Sequence, residues 1–434
     1  MKSKKIISII LALLMTASAL GFSAFAEDVT EPVKADPGNV TVDGNVNVVN
    51  ESYAVYAQSI DRTDANVTVK GNVTLTISDP AYASEAAAVD IYGADPNCSA
   101  TAYVTGDVSA KKAGDTGAIF ALSAVNGELT VDGSAYADGG ASDATGIYSD
   151  DGNVTVGNDV KATGVYSTGV AVYGGEDAKH TVEVKGPVYS SGEDATGVML
   201  TTQPYTDAFP EIAATFGDGI TTVSTATDAP SDDSYYSAVG INVDNNGGKI
   251  TANIAGDITA KGPDSQSAGI YIGSMYMEQI DNAGDGTNSI LVHGNVISDG
   301  YGIFKVPAMP TSPEEETPTV VTDILVENEI DAANAGVMMF ASPVLVIPDF
   351  PDGNPATATD PGENLNLTVW KIKLNDRGNA AEIMEGEWIE EPDNSHMEYK
   401  PHTAEDFEKS IMYIVKAEQP DEGGTIKAVD AEGN

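Results

Sequence analysis

Few residues in this chain are placed to do chemistry. Two adjacent acid pairs, Asp150-Asp151 and Asp232-Asp233, come nearest to the converging carboxylates that glycoside hydrolysis needs. Neighbouring side chains in a strand point to opposite faces, so an adjacent pair does not close on one bond. On the scaffold described below a lyase base is usually Arg or Lys; Arg62 and Arg377 are the only arginines, and both lie outside its repeated phrases. The four histidines, His180, His293, His396 and His402, share no repeat position. His180 and His293 sit beside strand phrases and read as surface residues. There is no Gly-x-Ser-x-Gly, no His-Glu-x-x-His and no phosphate-cradling glycine loop.

Two other sets of residues suit binding better than reaction. Asp281-Asn282-Ala283-Gly284-Asp285-Gly286 presents hard oxygens at loop spacing, as does Asp244-Asn245-Asn246. Calcium is thus the one cofactor the sequence admits, with Asp281, Asn282 and Asp285 as its candidate ligands. Neither stretch follows a twelve-residue calcium loop or a glycine-rich nonapeptide, and an Asx-rich turn is the plainer reading. The second set is aromatic: Tyr56, Phe120, Tyr148, Tyr271 and Phe304 each follow a small residue and an aliphatic one. On a regular scaffold they form a broken row able to stack on sugar rings or peptide surfaces; the plainer reading is packing against neighbouring loops.

Two phrases that recur along most of the chain supply that scaffold. One is β-branched on both sides of a glycine, as in Val67-Thr68-Val69 then Gly71 then Val73-Thr74-Leu75. The other is small, then Gly or Ala, then aliphatic, as in Gly146-Ile147-Tyr148 and Gly269-Ile270-Tyr271. Starts of the first fall near Val40, Val67, Ala102, Leu129, Val154, Val182, Ile220, Ile250, Ile290 and Ile324. Repeats in this range of lengths mean stacked supersecondary units. The apolar period is two, which is strand spacing, and no repeat holds an amphipathic helical stretch. Glycine between short strands suits a sharp corner, where positive φ is expected. The fold predicted is all-β: a right-handed parallel β-helix of about ten coils, with each strand paired to its counterpart in the next coil. An antiparallel sandwich also has short strands and frequent turns, but does not explain two phrases alternating in phase. If the valines face inward, Thr41, Thr68, Thr130, Thr155 and Thr251 line one outer face, interrupted by Glu183, Leu291 and Leu325.

Size and charge bound the rest. Residues 1–26 read as a secretory signal: Lys2, Lys4 and Lys5, an apolar run from Ile6 to Leu14, and Ala24-Phe25-Ala26 before the cleavage point. The formal charge is -45, and removal of the three leader lysines makes it 18 − 66 = −48. So acidic a chain repels nucleic acid and anionic lipid. The one cysteine, Cys98, forms no internal disulfide and reads as a small core-lining residue. Residues 27–39 form an acidic spacer, 40–342 the β-helix, and 343–400 a Pro-rich linker with end-cap strands including LNLTVWKIKL, where Trp370 is available to cover the open end. Over 401–434 we expect a short helix from Thr403 to about Met412, then a hairpin of MYIVKA and TIKAV around Gly423-Gly424. Longer loops at 199–238 and 306–321 are the natural places for decoration.

The glycine-punctuated coils over about Val40 to Ser342 resemble secreted bacterial β-helix surface proteins of the adhesin-like kind. The tail YIVKAEQPDEGGTIKAVDAEGN is similar to the opening strands of Gly-Gly-Thr bacterial cell-surface repeats. These resemblances imply an extracellular or cell-surface location, no catalysis, an adhesive or scaffolding role, and glycans or proteins of the surface or matrix as partners. No nucleic acid and no membrane insertion after leader removal are expected. A carbohydrate-active β-helix enzyme, lyase or glycosidase, is the alternative.

Overall fold

The computed structural model describes residues 23–24, 28–60, 62–80, 82, 84–94, 98–204, 208–226, 237–263, 267–273, 284–306, 320–341, 365–372, 381–389, 396–401, 412–416 and 424–429, with side chains described between 28 and 338. Most of the expected secretory signal, most of the 306–321 loop, the Pro-rich stretch 343–364 and the helix expected from Thr403 lie outside the described residues. The described chain is strand and turn, with no helix, and divides into two units, Met1–Asn158 and Asp159–Asn434.

Each unit is a parallel β-helix. A coil has three strands, as in Ala65–Val69, Val73–Ile77 and Ala86–Gly93. In the first unit the first strands stack in register as Val40, Val67, Ala102, Leu129 and Val154. The second strands stack as Val46, Val73, Val108 and Ala135, and the third as Val55, Val89, Leu122 and Ile147. Alternation does the sorting. Val67, Val69, Val73, Leu75, Val89 and Ile91 are at most 1% exposed, while the residues between them face outward. Burying each such side chain contributes roughly 1.5–3 kcal/mol before chain entropy is counted.

The corner between first and second strands is built from a glycine followed in most coils by Asn or Asp, as at Gly44-Asn45, Gly71-Asn72 and Gly106-Asp107. Asn45 Oδ1 accepts the Asn72 N–H at 2.8 Å, Asn72 Oδ1 accepts the Asp107 N–H at 2.8 Å, and Asp107 Oδ1 accepts the Ser134 N–H at 2.9 Å. Each side chain thus satisfies a backbone donor one coil on, where the strand ladder is broken. The second unit repeats the device at Asp257 and Asn295. Positive φ is expected of these corner glycines; Gly44 takes it, at 152°, but Gly71, Gly106 and Gly133 lie outside the left-handed region. Proximity is the reason for glycine: a Cβ on Gly71 would stand 2.4 Å from the Gly44 carbonyl oxygen. Replacing Asn72 with alanine orphans the Asp107 N–H and should cost about 1 kcal/mol, read as a lowered urea midpoint with unchanged slope.

In the second unit the first strands align Val182, Ala214, Ala252, Ile290 and Ile324. Ile220 lies instead in the second-strand row with Val188 and Ile258, and Ile250 pairs with Ile212. Parallel pairing continues beyond the Pro-rich stretch: Leu365–Ile372 pairs with Val320–Ala332, and Ala381–Ile389 with Ala335–Ala341. Antiparallel strands then meet these edges. His396–Pro401 pairs with Ala381–Ile389, and the expected hairpin, Met412–Lys416 with Gly424–Val429, docks on Leu365–Ile372. Covering an edge in this way removes a template for pairing with another chain.

Candidate functional site

The outer face of the third-strand sheet in the first unit gathers most of the chemistry. Register places Lys34, Tyr56, Asp90, Ser123 and Tyr148 in one row, one residue per coil. A second row holds Gln58, Tyr92, Val125 and Asp150, and a third Tyr53, Ala87, Phe120 and Thr145. Successive coils are about 4.8 Å apart, so Tyr56 and Tyr148 lie about 14 Å apart along the sheet. Behind this face, Val55, Val89, Leu122 and Ile147 are fully buried and fix the strands from beneath.

Two aromatic groups flank a polar centre. Tyr53 stacks on Tyr56, with ring centroids 4.8 Å apart. The Lys34 ammonium lies 5.4 Å from the Tyr56 ring centroid and pairs with Asp36 at 2.6 Å. Burial, with Asp90 and Asp36 nearby, pushes the Tyr56 phenol up to about 12. Phe120 meets Tyr148 edge-on at 5.6 Å. Between the groups the Ser123 hydroxyl donates to Asp90 Oδ1 at 2.8 Å. Burial raises the Asp90 carboxyl above the usual carboxylate range, and the Ser123 hydrogen bond partly offsets that. Tyr92 is 40% exposed beside this pair.

The five predicted aromatics therefore divide. Tyr56 and Tyr148 share a row, and Phe120 touches Tyr148 from the row beside it. In the second unit Tyr271 and Phe304 are register partners stacked at 5.5 Å, but only 2% and 4% exposed. They belong to a hydrophobic cluster with Val239, Ala268, Val306 and Met338, and Tyr301 meets Phe304 edge-on. Their rings are core and offer no open face to a ligand. The sequence alone does not single out Lys34, Tyr53, Asp90, Tyr92 or Ser123 as site residues. Part of the signal was there: Asp90 and Ser123 follow Ala88-Val89 and Ala121-Leu122 as Tyr148 follows Gly146-Ile147.

No family model, no curated protein and no solved structure matches this chain. Its site is therefore defined by its own geometry alone.

The remaining candidates disperse. Asp151 is buried in a turn at φ 51°, while Asp150 ends the third strand opposite Val125. Asp232-Asp233 lies outside the described residues. His180, read as a surface residue, is 2% exposed in a row with Ile212 and Ile250. His293 is partly exposed against Glu327 at 2.9 Å. Of the calcium set, Asp281 and Asn282 lie outside the described residues; Asp285 is exposed, and its carbonyl accepts the Gly248 N–H at 3.2 Å. Asn245 is committed to a buried amide network, donating to Asn288 Oδ1 at 2.7 Å and accepting from the Thr202 hydroxyl at 2.9 Å. Among the described residues no three His, Cys, Asp or Glu side chains gather as a metal site, and no helix is long and apolar enough to cross a membrane. Burial pushes the Lys305 ammonium down to about 8, in a row with Val243 and Ile272.

The threonine row holds in the first unit as Thr41, Thr68, Tyr103, Thr130 and Thr155, with the Tyr103 hydroxyl donating to Asp132. Thr251 stands in another row, between Ala213 and Ser289.

Proposed function

We propose that the chain is an exported, non-catalytic surface or extracellular-matrix protein with an adhesive or scaffolding role, and that its first unit binds glycans. The observation that carries this reading is the partly exposed aromatic–polar face on a rigid parallel ladder: Phe120 and Tyr148 at one end, Tyr53 and Tyr56 at the other, Asp90 and Ser123 between. Sugars offer apolar ring faces and equatorial hydroxyls, and such a face supplies stacking and hydrogen bonds together. The ladder fixes these groups before binding, so little ordering cost falls on the protein. The acidic surface favours neutral or basic glycans over acidic ones.

A glycan array probed with the purified chain tests this. Defined oligosaccharides should be retained, and Tyr148→Ala should weaken the strongest by about tenfold, the worth of one aromatic contact. Retention unaffected by Tyr148→Ala removes this face from the account.

A further inference from the structure

We propose that the Asp90–Ser123 centre selects glycans carrying a free, protonated amino group, so that the ligand class is a de-N-acetylated amino-sugar oligomer. This rests on the glycan-binding reading above and narrows it.

The molecule already displays the relevant chemistry in the two preceding coils. Lys34 places an ammonium over the Tyr56 ring and pairs it with Asp36, a trio of cation, aromatic face and carboxylate. Such trios join a charge-assisted hydrogen bond to the attraction between a cation and a ring quadrupole. Asp90 offers two members of a second trio. It lies next to Tyr56 in its row and two residues from Tyr92 in its own strand. Tyr92 stands one coil on from Gln58, in the row beside that of Tyr56 and Asp90. The third member is missing: burial and the Ser123 hydroxyl alone perturb Asp90, and no cation stands beside it among the described residues. Ser123 is its one hydrogen-bond partner there. A carboxylate held in an aromatic surround, hydrogen-bonded once and without an internal counter-ion, is complementary to an incoming ammonium. A neutral acetamido group would leave that charge desolvated and uncompensated. An acidic sugar would meet Asp90, Asp36 and Asp150 on one face. The span of about 14 Å between Tyr56 and Tyr148 suits a short linear run of rings, with its amine over the centre.

Calorimetric titration of the full chain with a fully de-N-acetylated glucosamine tetramer and with its fully N-acetylated counterpart tests the inference. The amine form should bind about tenfold tighter. Asp90→Asn keeps an acceptor for Ser123 and should remove that preference, bringing the two tetramers to equal affinity. Tyr92→Leu should reduce the preference without abolishing acetylated binding. Equal affinity of the native chain for both tetramers overturns the amine selectivity and leaves the glycan reading standing. Binding of neither tetramer, with no other hit on the glycan array, overturns both. A preference that survives Asp90→Asn in a folded variant places the amine elsewhere and overturns the assignment.

Discussion

Gly240→Ala is expected to destabilise the second unit by about 3 kcal/mol, near the upper end for overpacking a core. The reason lies in a ladder of glycines. Gly169, Gly197, Gly240, Gly269 and Gly302 occupy the same place in successive third strands, each just before the inward aliphatic. A Cβ on Gly240 would stand 2.4 Å from Ile258 Cγ2 and 2.5 Å from the Gly269 carbonyl oxygen. One obstacle is a side chain wedged in its own row between Ile220 and Val296. The other is backbone. Neither can retreat without disturbing the next coil, because Gly269 in turn lies against Gly302 and Val296. Solenoid stability is a sum over neighbouring interfaces, so strain in one coil is felt in both its neighbours. Gly284→Ala is the matched control: a Cβ there meets nothing within 4 Å, and the change should stay within about 0.5 kcal/mol. Denaturant midpoints compare the two. A Gly240→Ala protein as stable as the control sinks the steric account of the small-Gly-aliphatic phrase.

That phrase shows what the sequence carries and what it does not. Period-two alternation and glycine corners were enough for the parallel coil, because inward valines repeat wherever the chain turns. In the first unit the predicted starts, Val40 through Val154, are register partners. Phase slips at Ala214, because the strand Glu211–Phe216 reads EIAATF and its alanine is a weaker marker than Ile220 in the strand after it. It slips again at Phe120. There Gly117 looks like the ladder glycine but turns the chain at φ 75°, and Ala121-Leu122-Ser123 aligns with Gly146-Ile147-Tyr148. The candidate face shares this difficulty. Tyr56 and Tyr148 are visible as aromatics, but Asp90 and Ser123 join them only once register is known, and no local pattern marks a residue as a neighbour across about thirty positions. Burial is equally non-local. Tyr271 and Phe304 follow the same phrase as Tyr148, yet pack into a cluster with Met338 and Val306.

The second large effect concerns the amide network of the second unit. Thr202, Asn245, Asn288 and Thr322 are linked in a chain: the Thr202 hydroxyl donates to Asn245 Oδ1 at 2.9 Å, Asn245 Nδ2 to Asn288 Oδ1 at 2.7 Å, and Asn288 Nδ2 to Thr322 Oγ1 at 3.0 Å. Asn245 Oδ1 also accepts the Gly247 N–H at 2.9 Å, closing a tight corner in which Gly247 and Gly248 take φ of 128° and 110°. Asn245→Leu should cost about 3 kcal/mol, since it leaves the Asn288 carbonyl and the Gly247 N–H without partners in a buried site. Asn288→Leu should cost less, because Asn245 Nδ2 keeps the Thr287 carbonyl at 3.2 Å. The double variant should fall short of the sum by about 1–2 kcal/mol, because the second change removes a group the first had already orphaned. Strict additivity in that cycle means the two amides do not depend on each other. Asn245→Asp separates this account from the calcium reading of Asp244-Asn245-Asn246. The carboxylate is nearly isosteric but cannot donate to Asn288 Oδ1, and it sets an acceptor against an acceptor. It should therefore destabilise the protein equally with calcium and with chelator. A variant that regains stability only when calcium is added would instead make this corner a cation loop.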